Sequence, residues 1–255
     1  MFNRKFKILI LMAAAALILN GCSGEDGAVG PKGAEGEPGA PQPIKVLVAG
    51  AGFSGTLENI IIEATRLEVF PMGTELNYKY LNSALPDLSD IKEYDVVFVH
   101  TDYTPYEPDS LGDILAEYVD DGGGLVMTQY CFTNSWGIGG EIMTSGYCPF
   151  QKADGDGTSG DRQIDPSSVS IPIHPIFSGA DINNLVYWAN ANFTDSPLDA
   201  GATLLATDTG GTNAIAINAD GNIVALNMFA ARFNETYYSS AKVMANSCLF
   251  VAGAF

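Results

Sequence analysis

The sequence predicts an α/β domain with a mainly parallel sheet, helices on both faces and a C-terminal antiparallel hairpin that extends the sheet. Mainly apolar runs such as 44–49 (IKVLVA) and 95–100 (DVVFVH) are typical of strands that are buried on both faces. Segments with apolar residues at helical spacing separate these runs, and alternation of strand and helix indicates parallel strands. Asp220 and Gly221 lie between two later apolar runs, where this dipeptide predicts a hairpin turn.

The first third of the domain predicts three strands. Residues 44–49 (IKVLVA) form the first strand, and 56–64 form the helix that follows it. A second strand is predicted at 66–70, before a polar stretch, 71–91, that ends in a short helix or turn. Residues 95–100 (DVVFVH) form the third strand.

The stretch 111–130 (LGDILAEYVDDGGGLVMTQY) predicts a helix, a glycine stop and a buried strand. Asp109 or Ser110 is the expected N-cap, and three consecutive glycines end the helix. The apolar run 125–127 follows at once. This fourth strand brings 128–132 to the carboxyl edge of the sheet, where ligands bind in open α/β folds.

The second half of the domain predicts further strands and a closing helix. The strands are expected at 169–173, 185–191, 203–206, 214–218 and 223–229, and the helix at 236–252.

The amino terminus predicts export and lipidation. Three basic residues precede the apolar run 8–19, which is too short to span a bilayer, so residues 1–21 are expected to be a signal peptide. Residues 19–22 (LNGC) resemble the bacterial lipobox, which implies diacylation of Cys22; an ordinary signal peptide is the alternative. The protein is therefore expected on the cell envelope, held in the lipid bilayer through Cys22, and in the outer membrane of a diderm cell because Ser23 follows.

A spacer is predicted between this anchor and the domain, which starts at Ile44 and continues to Phe255. Within the spacer, 22–43, six consecutive triplets begin with glycine, which is the period of the collagen triple helix. Six triplets form a marginal trimer, so a solvated spacer is favoured over a homotrimeric stem.

The charge of the chain excludes nucleic acid as a partner. The sequence has 30 acidic and 12 basic residues and a formal net charge of −18. Such a field repels phosphate and gives no attraction to anionic lipid.

A glycine-rich loop follows the first strand. Gly50, Gly52 and Gly55 match the dinucleotide fingerprint, with a strand before and a helix after it. No acidic residue stands at the end of the predicted second strand to hold a ribose, and no cofactor is expected. The loop instead predicts helix-start amides that receive an anion or a sugar oxygen.

Polar and aromatic residues are expected at the same edge. Asp102 and Tyr103 follow the third strand, Tyr130 ends the fourth, and Trp136 lies in the irregular loop 131–150. Flat rings with a few polar groups suit a neutral or cationic small ligand, such as a carbohydrate. The alternative is that these aromatic residues cap the core.

A second loop is rich in carboxylates. Asp154, Asp156 and Asp161 alternate with small residues, which suits calcium, although the glutamate that ends an EF-hand loop is missing. A solvated acidic loop is the default interpretation.

Four segments resemble the class I glutamine amidotransferase-like superfamily, most closely its ThuA-like, non-amidotransferase branch. They are VLVAGAG, YDVVFVH, LGDILAEYVDDGGGLV and the HPIFSG of residues 174–179. The resemblance extends over residues 44–255 and implies a flavodoxin-like three-layer sandwich. ThuA-like members are associated with carbohydrate use, without a settled reaction.

The resemblance also raises the possibility of a cysteine-dependent hydrolase or amidase. Cys131 follows the fourth strand, near where the amidotransferase nucleophile stands, and His174 or His100 is the candidate base. Against this, the glycines that flank the family's nucleophile are missing, and so is its His-x-Glu pair. Cys131 and Cys148 are also a candidate disulfide, whereas Cys248 is expected to be a buried apolar residue.

The function expected from the sequence is that of a membrane-anchored lipoprotein with a non-catalytic, amidotransferase-like domain that binds a small ligand at the carboxyl edge. The alternatives are the hydrolase and a structural protein of the cell envelope.

Overall fold

The computed structural model describes residues 40–153, 159–190 and 196–255 of the chain. The predicted signal peptide, Cys22 and nearly all of the spacer lie outside the described residues. So do Asp154 and Asp156 of the acidic loop.

A seven-stranded sheet forms the centre of the domain, with the strand order β2-β1-β3-β4-β9-β8-β7. Its first five strands in that order are parallel, and β8 and β7 extend the sheet in antiparallel pairing. The predicted fold class is therefore confirmed. The strands are β1 (Lys45–Ala51), β2 (Glu75–Tyr80), β3 (Val96–Thr101), β4 (Gly124–Thr128), β7 (Thr203–Thr207), β8 (Asn213–Ile217) and β9 (Ile223–Leu226).

Helices cover both faces of the sheet. Alternate residues of the strands divide between two buried clusters: Val48 packs in the cluster that contains residues of α1 and α4, and Leu47 in the cluster that contains residues of α3. The two faces are called here the α1 face and the α3 face. The helices are α1 (Thr56–Arg66), α2 (Leu88–Ile91), α3 (Pro108–Asp120) and α4 (Tyr238–Val251).

The predicted position of the second strand is wrong. Residue Arg66 ends α1, and Val69 is buried in the turn that follows, where its amide donates to the Ala64 carbonyl at 3.3 Å. The strand is Glu75–Tyr80, which pairs only with β1 and is mostly exposed. An edge strand of this kind lacks the apolar run by which buried strands are recognised.

A small second sheet pairs β5 (Gly160–Gln163) with β6 (Val186–Ala189) in antiparallel register. The strand predicted at 169–173 is wrong: this segment follows the helical turn Pro166–Ser168, and Ile173 is 93% exposed. The segment lies beside β7, where the Ser170 amide donates to the Leu205 carbonyl at 3.0 Å, but this single backbone contact does not extend into a ladder.

The C-terminal elements confirm the hairpin and the closing helix. The turn with Gly221 joins β8 and β9, and α4 begins after a short helical turn, Glu235–Tyr237. Across the described ranges, none of the helices has the length and apolar character that crossing a bilayer requires.

Candidate ligand-binding site

The carboxyl ends of β1, β3 and β4 meet at one edge of the sheet, because the three strands are parallel neighbours. Asp102 and Tyr103 follow β3 directly, and Tyr130 stands two residues after β4. The structure thus brings these three predicted residues to the edge where ligands bind in folds of this kind.

The glycines of the fingerprint have conformational roles. Gly50 lies inside β1, and a Cβ atom there would be 1.7 Å from the His100 carbonyl oxygen of the neighbouring strand. Gly55 has a φ of 91° and precedes the first residue of α1. Glycine is needed at the first position for the close approach of two strands, and at the second for the left-handed turn.

The predicted cradle of helix-start amides is not available to a ligand. The Thr56 amide donates to the Phe53 carbonyl at 3.0 Å, and the Leu57 amide donates to the Tyr80 hydroxyl at 3.3 Å. The backbone N–H and C=O of Gly52 are both bound to the Asn82 side chain. These three amides are satisfied by the protein, which counts against the interpretation of this loop as an anion or sugar-oxygen site.

Asp102 has one carboxylate oxygen in use and one without a partner. Oδ2 accepts a hydrogen bond from the Thr56 hydroxyl at 3.3 Å, whereas Oδ1 is buried and has no hydrogen-bond partner in the described part of the chain. Burial raises the pKa of this carboxyl above its usual value. A Cβ atom at Gly52 would be 2.5 Å from Oδ1, so the glycine makes room for the carboxylate.

An exposed aromatic pair lies beside Asp102. The rings of Phe53 and Tyr103 are in edge-to-face contact, with centroids 5.9 Å apart. Phe53 is 67% exposed and Tyr103 is 52% exposed. Large rings that remain in water next to a polar group are a feature of binding surfaces.

Five rings form a connected group at this edge. Trp136 contacts Tyr130 at 4.8 Å between centroids, and Tyr130 contacts Phe229 at 6.1 Å. Phe229 in turn contacts His100 at 5.0 Å and Trp188 at 5.2 Å. The Arg232 guanidinium lies 4.3 Å above the Trp188 ring, where it makes a cation–π contact.

Sequence reasoning missed three residues of this neighbourhood: Phe229, Trp188 and Arg232. They come from the end of β9, from β6 and from the helical turn Ala230–Arg232, far from the predicted loop. No local spacing connects these segments, so the sequence contains no signal for their contact.

Tyr130 holds a strained backbone conformation at the end of β4. Its φ angle is 72°, in the left-handed region that bulky residues rarely occupy. The side chain is buried, and burial, together with the charge of Asp102, raises the pKa of its hydroxyl to about 12. Backbone strain of this kind is common at functional sites. The sequence does not predict it, because a tyrosine does not indicate a positive φ angle as a glycine would.

Cys131 is a buried thiol that packs against β3 on the α3 face. Its sulfur donates to the Val99 carbonyl at 3.6 Å and accepts from the Thr101 hydroxyl at 3.8 Å. Burial raises the pKa of this thiol to about 11, so the thiolate that a nucleophile requires is disfavoured.

His174 lies at the opposite edge of the sheet from Cys131. Its ring contacts Phe250 at 4.7 Å, and Phe250 lies beside Gly221 in the turn that precedes β9. Because β9 is parallel to β4, this turn belongs to the amino edge. His174 caps the helical turn Pro175–Phe177, where Nδ1 accepts from the Ile176 amide at 3.3 Å. The predicted pairing of Cys131 with His174 is therefore wrong.

His100 cannot replace His174 as the base. Val99 packs on the α3 face with Cys131, so the next residue of β3, His100, points to the α1 face. Its Nδ1 is 2.8 Å from the Thr128 hydroxyl. The sheet separates the imidazole from the thiol, and the proposed cysteine hydrolase has no base.

The predicted disulfide is not formed. Cys131, Cys148 and Cys248 are free, buried thiols. The Cys131 sulfur is directed toward the backbone of β3. Cys248 packs in the core next to Leu249, as the sequence predicts.

Of the three aspartates proposed as calcium ligands, only Asp161 lies in the described part of the chain. Asp161 lies on β5 and accepts a hydrogen bond from the Tyr237 hydroxyl at 2.6 Å. In residues 40–153, 159–190 and 196–255, no group of three or more His, Cys, Asp or Glu side chains is arranged to hold a metal ion.

Comparison with known proteins establishes the fold. No protein-family model and no curated protein matches the sequence. A ThuA-like protein from Bacteroides uniformis has a TM-score of 0.53 at 14% identity, over 83% of this chain and 92% of its own. A GMP synthase subunit from Thermoplasma acidophilum has a TM-score of 0.51 at 14% identity, over 83% of this chain and 96% of its own. The domain thus has the fold of the glutamine amidotransferase-like proteins.

Proposed function

We propose that the chain is an exported, membrane-anchored lipoprotein whose domain binds a small polyhydroxylated ligand, a carbohydrate, at the carboxyl edge of the sheet. The domain has the amidotransferase-like fold but acts without thiol chemistry. The observation that carries this proposal is the unpartnered Oδ1 of Asp102 beside the exposed rings of Phe53 and Tyr103.

The chemistry of these groups suits a sugar. A carboxylate oxygen accepts hydrogen bonds from hydroxyl groups, and aromatic rings pack against the apolar C–H face of a pyranose. The loop that carries Trp136 lies next to the loop after β3, because the Thr104 hydroxyl donates to the Ser135 carbonyl at 3.0 Å. A ligand at Asp102 therefore has aromatic side chains within the two adjoining loops.

The electrostatics favour a neutral or cationic ligand. The chain has a formal net charge of −18, and Asp102 lies at the proposed site. Anionic ligands, including nucleic acid, would be repelled. A sugar without acidic groups has no such penalty.

The anchor rests on the amino-terminal sequence. The signal peptide of residues 1–21 and Cys22 would place the domain outside the cytoplasm, and the spacer of residues 22–43 would hold it away from the lipid. A homotrimer through the glycine-first triplets is the less favoured form of this spacer.

The site is tested on the full chain, purified from membranes in detergent. Binding to an array of neutral and amino glycans is compared for the native protein, Asp102→Asn and Glu117→Gln. Glu117 is an exposed residue of α3, and its replacement removes the same charge away from the site. We expect glycan binding that Asp102→Asn abolishes and Glu117→Gln retains. If the native protein binds no glycan on the array, the carbohydrate site is refuted. The remaining hypothesis is then a structural protein of the cell envelope.

The anchor is tested separately by incorporation of labelled fatty acid in growing cells. The native chain is expected to be labelled and the Cys22→Ser variant to be unlabelled. Equal labelling of the two chains would refute lipidation at Cys22.

A further inference from the structure

His100 is a fully buried polar residue of the carboxyl edge. Its side chain has no exposed surface, and its ring lies between Thr128 of β4 and the Phe229 ring. The cysteine chemistry considered above does not use it. Its environment nevertheless fixes both its protonation state and its tautomer.

The Thr128 hydroxyl determines which ring nitrogen carries the proton. This hydroxyl donates its hydrogen to the Val99 carbonyl at 3.1 Å, so it can only accept from Nδ1 of His100, at 2.8 Å. Nδ1 is therefore the protonated nitrogen, and Nε2 presents a lone pair. Burial lowers the pKa of His100 to about 3, so the ring is neutral at physiological pH.

The acceptor atom Nε2 has no hydrogen-bond partner within the described residues. Buried polar atoms are almost always paired, and each exception calls for an explanation. A structural histidine that is fully buried would be expected to use both nitrogens. An unpaired acceptor is instead suited to a donor that arrives from outside the protein.

The position of the ring connects this acceptor to the proposed site. His100 and Asp102 are two residues apart on β3 and its extension, so both side chains point to the α1 face. The cover of His100 includes Phe229, which is 8% exposed and contacts the strained Tyr130. A strained residue beside a buried, unpaired acceptor is typical of a site that rearranges when a ligand binds.

We infer that His100 is a specificity-determining residue of this site: Nε2 accepts a hydrogen bond from a hydroxyl group of the ligand, and the Phe229 ring moves aside to admit it. This inference rests on the carbohydrate function proposed above. It adds a second acceptor near Asp102, and it selects ligands with a hydroxyl donor that reaches below the Phe229 ring.

The two histidines of the chain make the inference testable by ¹⁵N NMR of the full chain in detergent. Nδ1 of His174 accepts a hydrogen bond and Nδ1 of His100 donates one, so the two rings are expected in opposite tautomers. The variant His174→Asn, which retains a capping side chain, assigns the signals. A His100 ring protonated at Nε2 overturns the inference without any ligand.

The same spectra are recorded with glycans from the array that bind. We expect the Nε2 resonance of His100 to shift on binding while that of His174 stays in place. Glycan binding without a shift of Nε2 overturns the role of His100 and leaves the carbohydrate function standing. The Nε2 resonance could also show a hydrogen bond in the free protein and stay unchanged when glycan is added. Nε2 is then bonded to an internal water, and the inference is again overturned.

A pair of variants provides the affinity measurement. His100→Asn keeps an amide donor for Thr128 and removes Nε2, so the affinity for the bound glycan is expected to fall roughly tenfold or more. His174→Asn is expected to bind as the native chain does. Equal affinities of the three proteins refute the inference. If His100→Asn does not fold, the spectra of the native chain decide. If no glycan binds, the proposed function and this inference fail together.

Discussion

The two edges of the sheet differ in how completely their polar groups are paired. At the amino edge, Nδ1 of His174 accepts from the backbone, and the buried Asn246 amide donates to the carbonyls of Ile176 and Ser178. At the carboxyl edge, Nε2 of His100 and Oδ1 of Asp102 are buried without partners in the described chain. Both edges contain a histidine, yet only one has groups left to bind something else.

This difference separates structural from functional polar groups in one molecule. A paired group stabilises the fold, because its loss leaves the partner unsatisfied. An unpaired group lowers the stability, and a fold that retains it does so for another reason. The comparison therefore supports the ligand site proposed at the carboxyl edge, and four predictions test it.

The largest effect is expected for the three thiols, which are buried in the core. Cys131, Cys148 and Cys248 are buried and free, and burial raises the pKa of each of them. Labelling of the native chain by a thiol-specific reagent at pH 8 should be about a thousandfold slower than in urea, because it requires opening of the structure. Rapid labelling of Cys131 in the folded protein would show that the carboxyl edge is open on the α3 face.

The next largest effect is expected at the amino edge. Replacing Asn246 by alanine removes two hydrogen bonds from buried carbonyl groups, so Asn246→Ala should lower the free energy of unfolding by about 2–3 kcal/mol. Urea denaturation measures this change. The exposed Asn184 provides the matched control, and Asn184→Ala should change the free energy by less than about 0.5 kcal/mol. Similar values for both variants would contradict the pairing argument.

A smaller effect of opposite sign is expected for Asp102. Its pKa is raised in the folded state, so the folded protein binds the proton more tightly than the unfolded chain does. This contribution stabilises the fold at low pH and is lost as the pH rises above the ordinary value of 3.8 and through the raised pKa.

The neutral variant Asp102→Asn should therefore be as stable as the native chain near pH 3 and more stable than the native chain at pH 7. Thermal unfolding followed across this pH range measures the difference. If Asp102→Asn is less stable than the native chain at pH 7, the Asp102 carboxylate stabilises the fold, and Oδ1 has a partner in the protein.

The smallest effect on stability is expected at the exposed aromatic pair. Tyr103 is 52% exposed and contacts the Phe53 ring, so Tyr103→Ala should change the free energy of unfolding by less than about 0.5 kcal/mol. In the glycan array the same variant should bind several-fold more weakly. Tyr238→Ala replaces a ring that is 42% exposed at the start of α4 and should bind normally. Unchanged binding by Tyr103→Ala would remove this pair from the site.

Much of the fold follows from local patterns in the sequence. The buried strands β1, β3 and β4 each contain an apolar run, and α3 with its glycine stop has both a helical period and a clear end. These signals lie within a few residues of one another and need no tertiary contact. The edge strand β2 is the counterexample, since its position depends on pairing with β1 and leaves no apolar run.

The sequence by itself therefore determined the class of fold, the edge at which a site would lie and the residues Asp102, Tyr103, Tyr130 and Trp136 as candidates for it. Only the tertiary structure decided which polar groups are paired. It separated Cys131 from both histidines and bonded the Gly52, Thr56 and Leu57 amides within the protein. It also placed Phe229 beside His100 and Trp188 beside Phe229. The physical reason is that hydrogen-bond pairing and burial depend on contacts between segments distant in the chain, which no local pattern encodes.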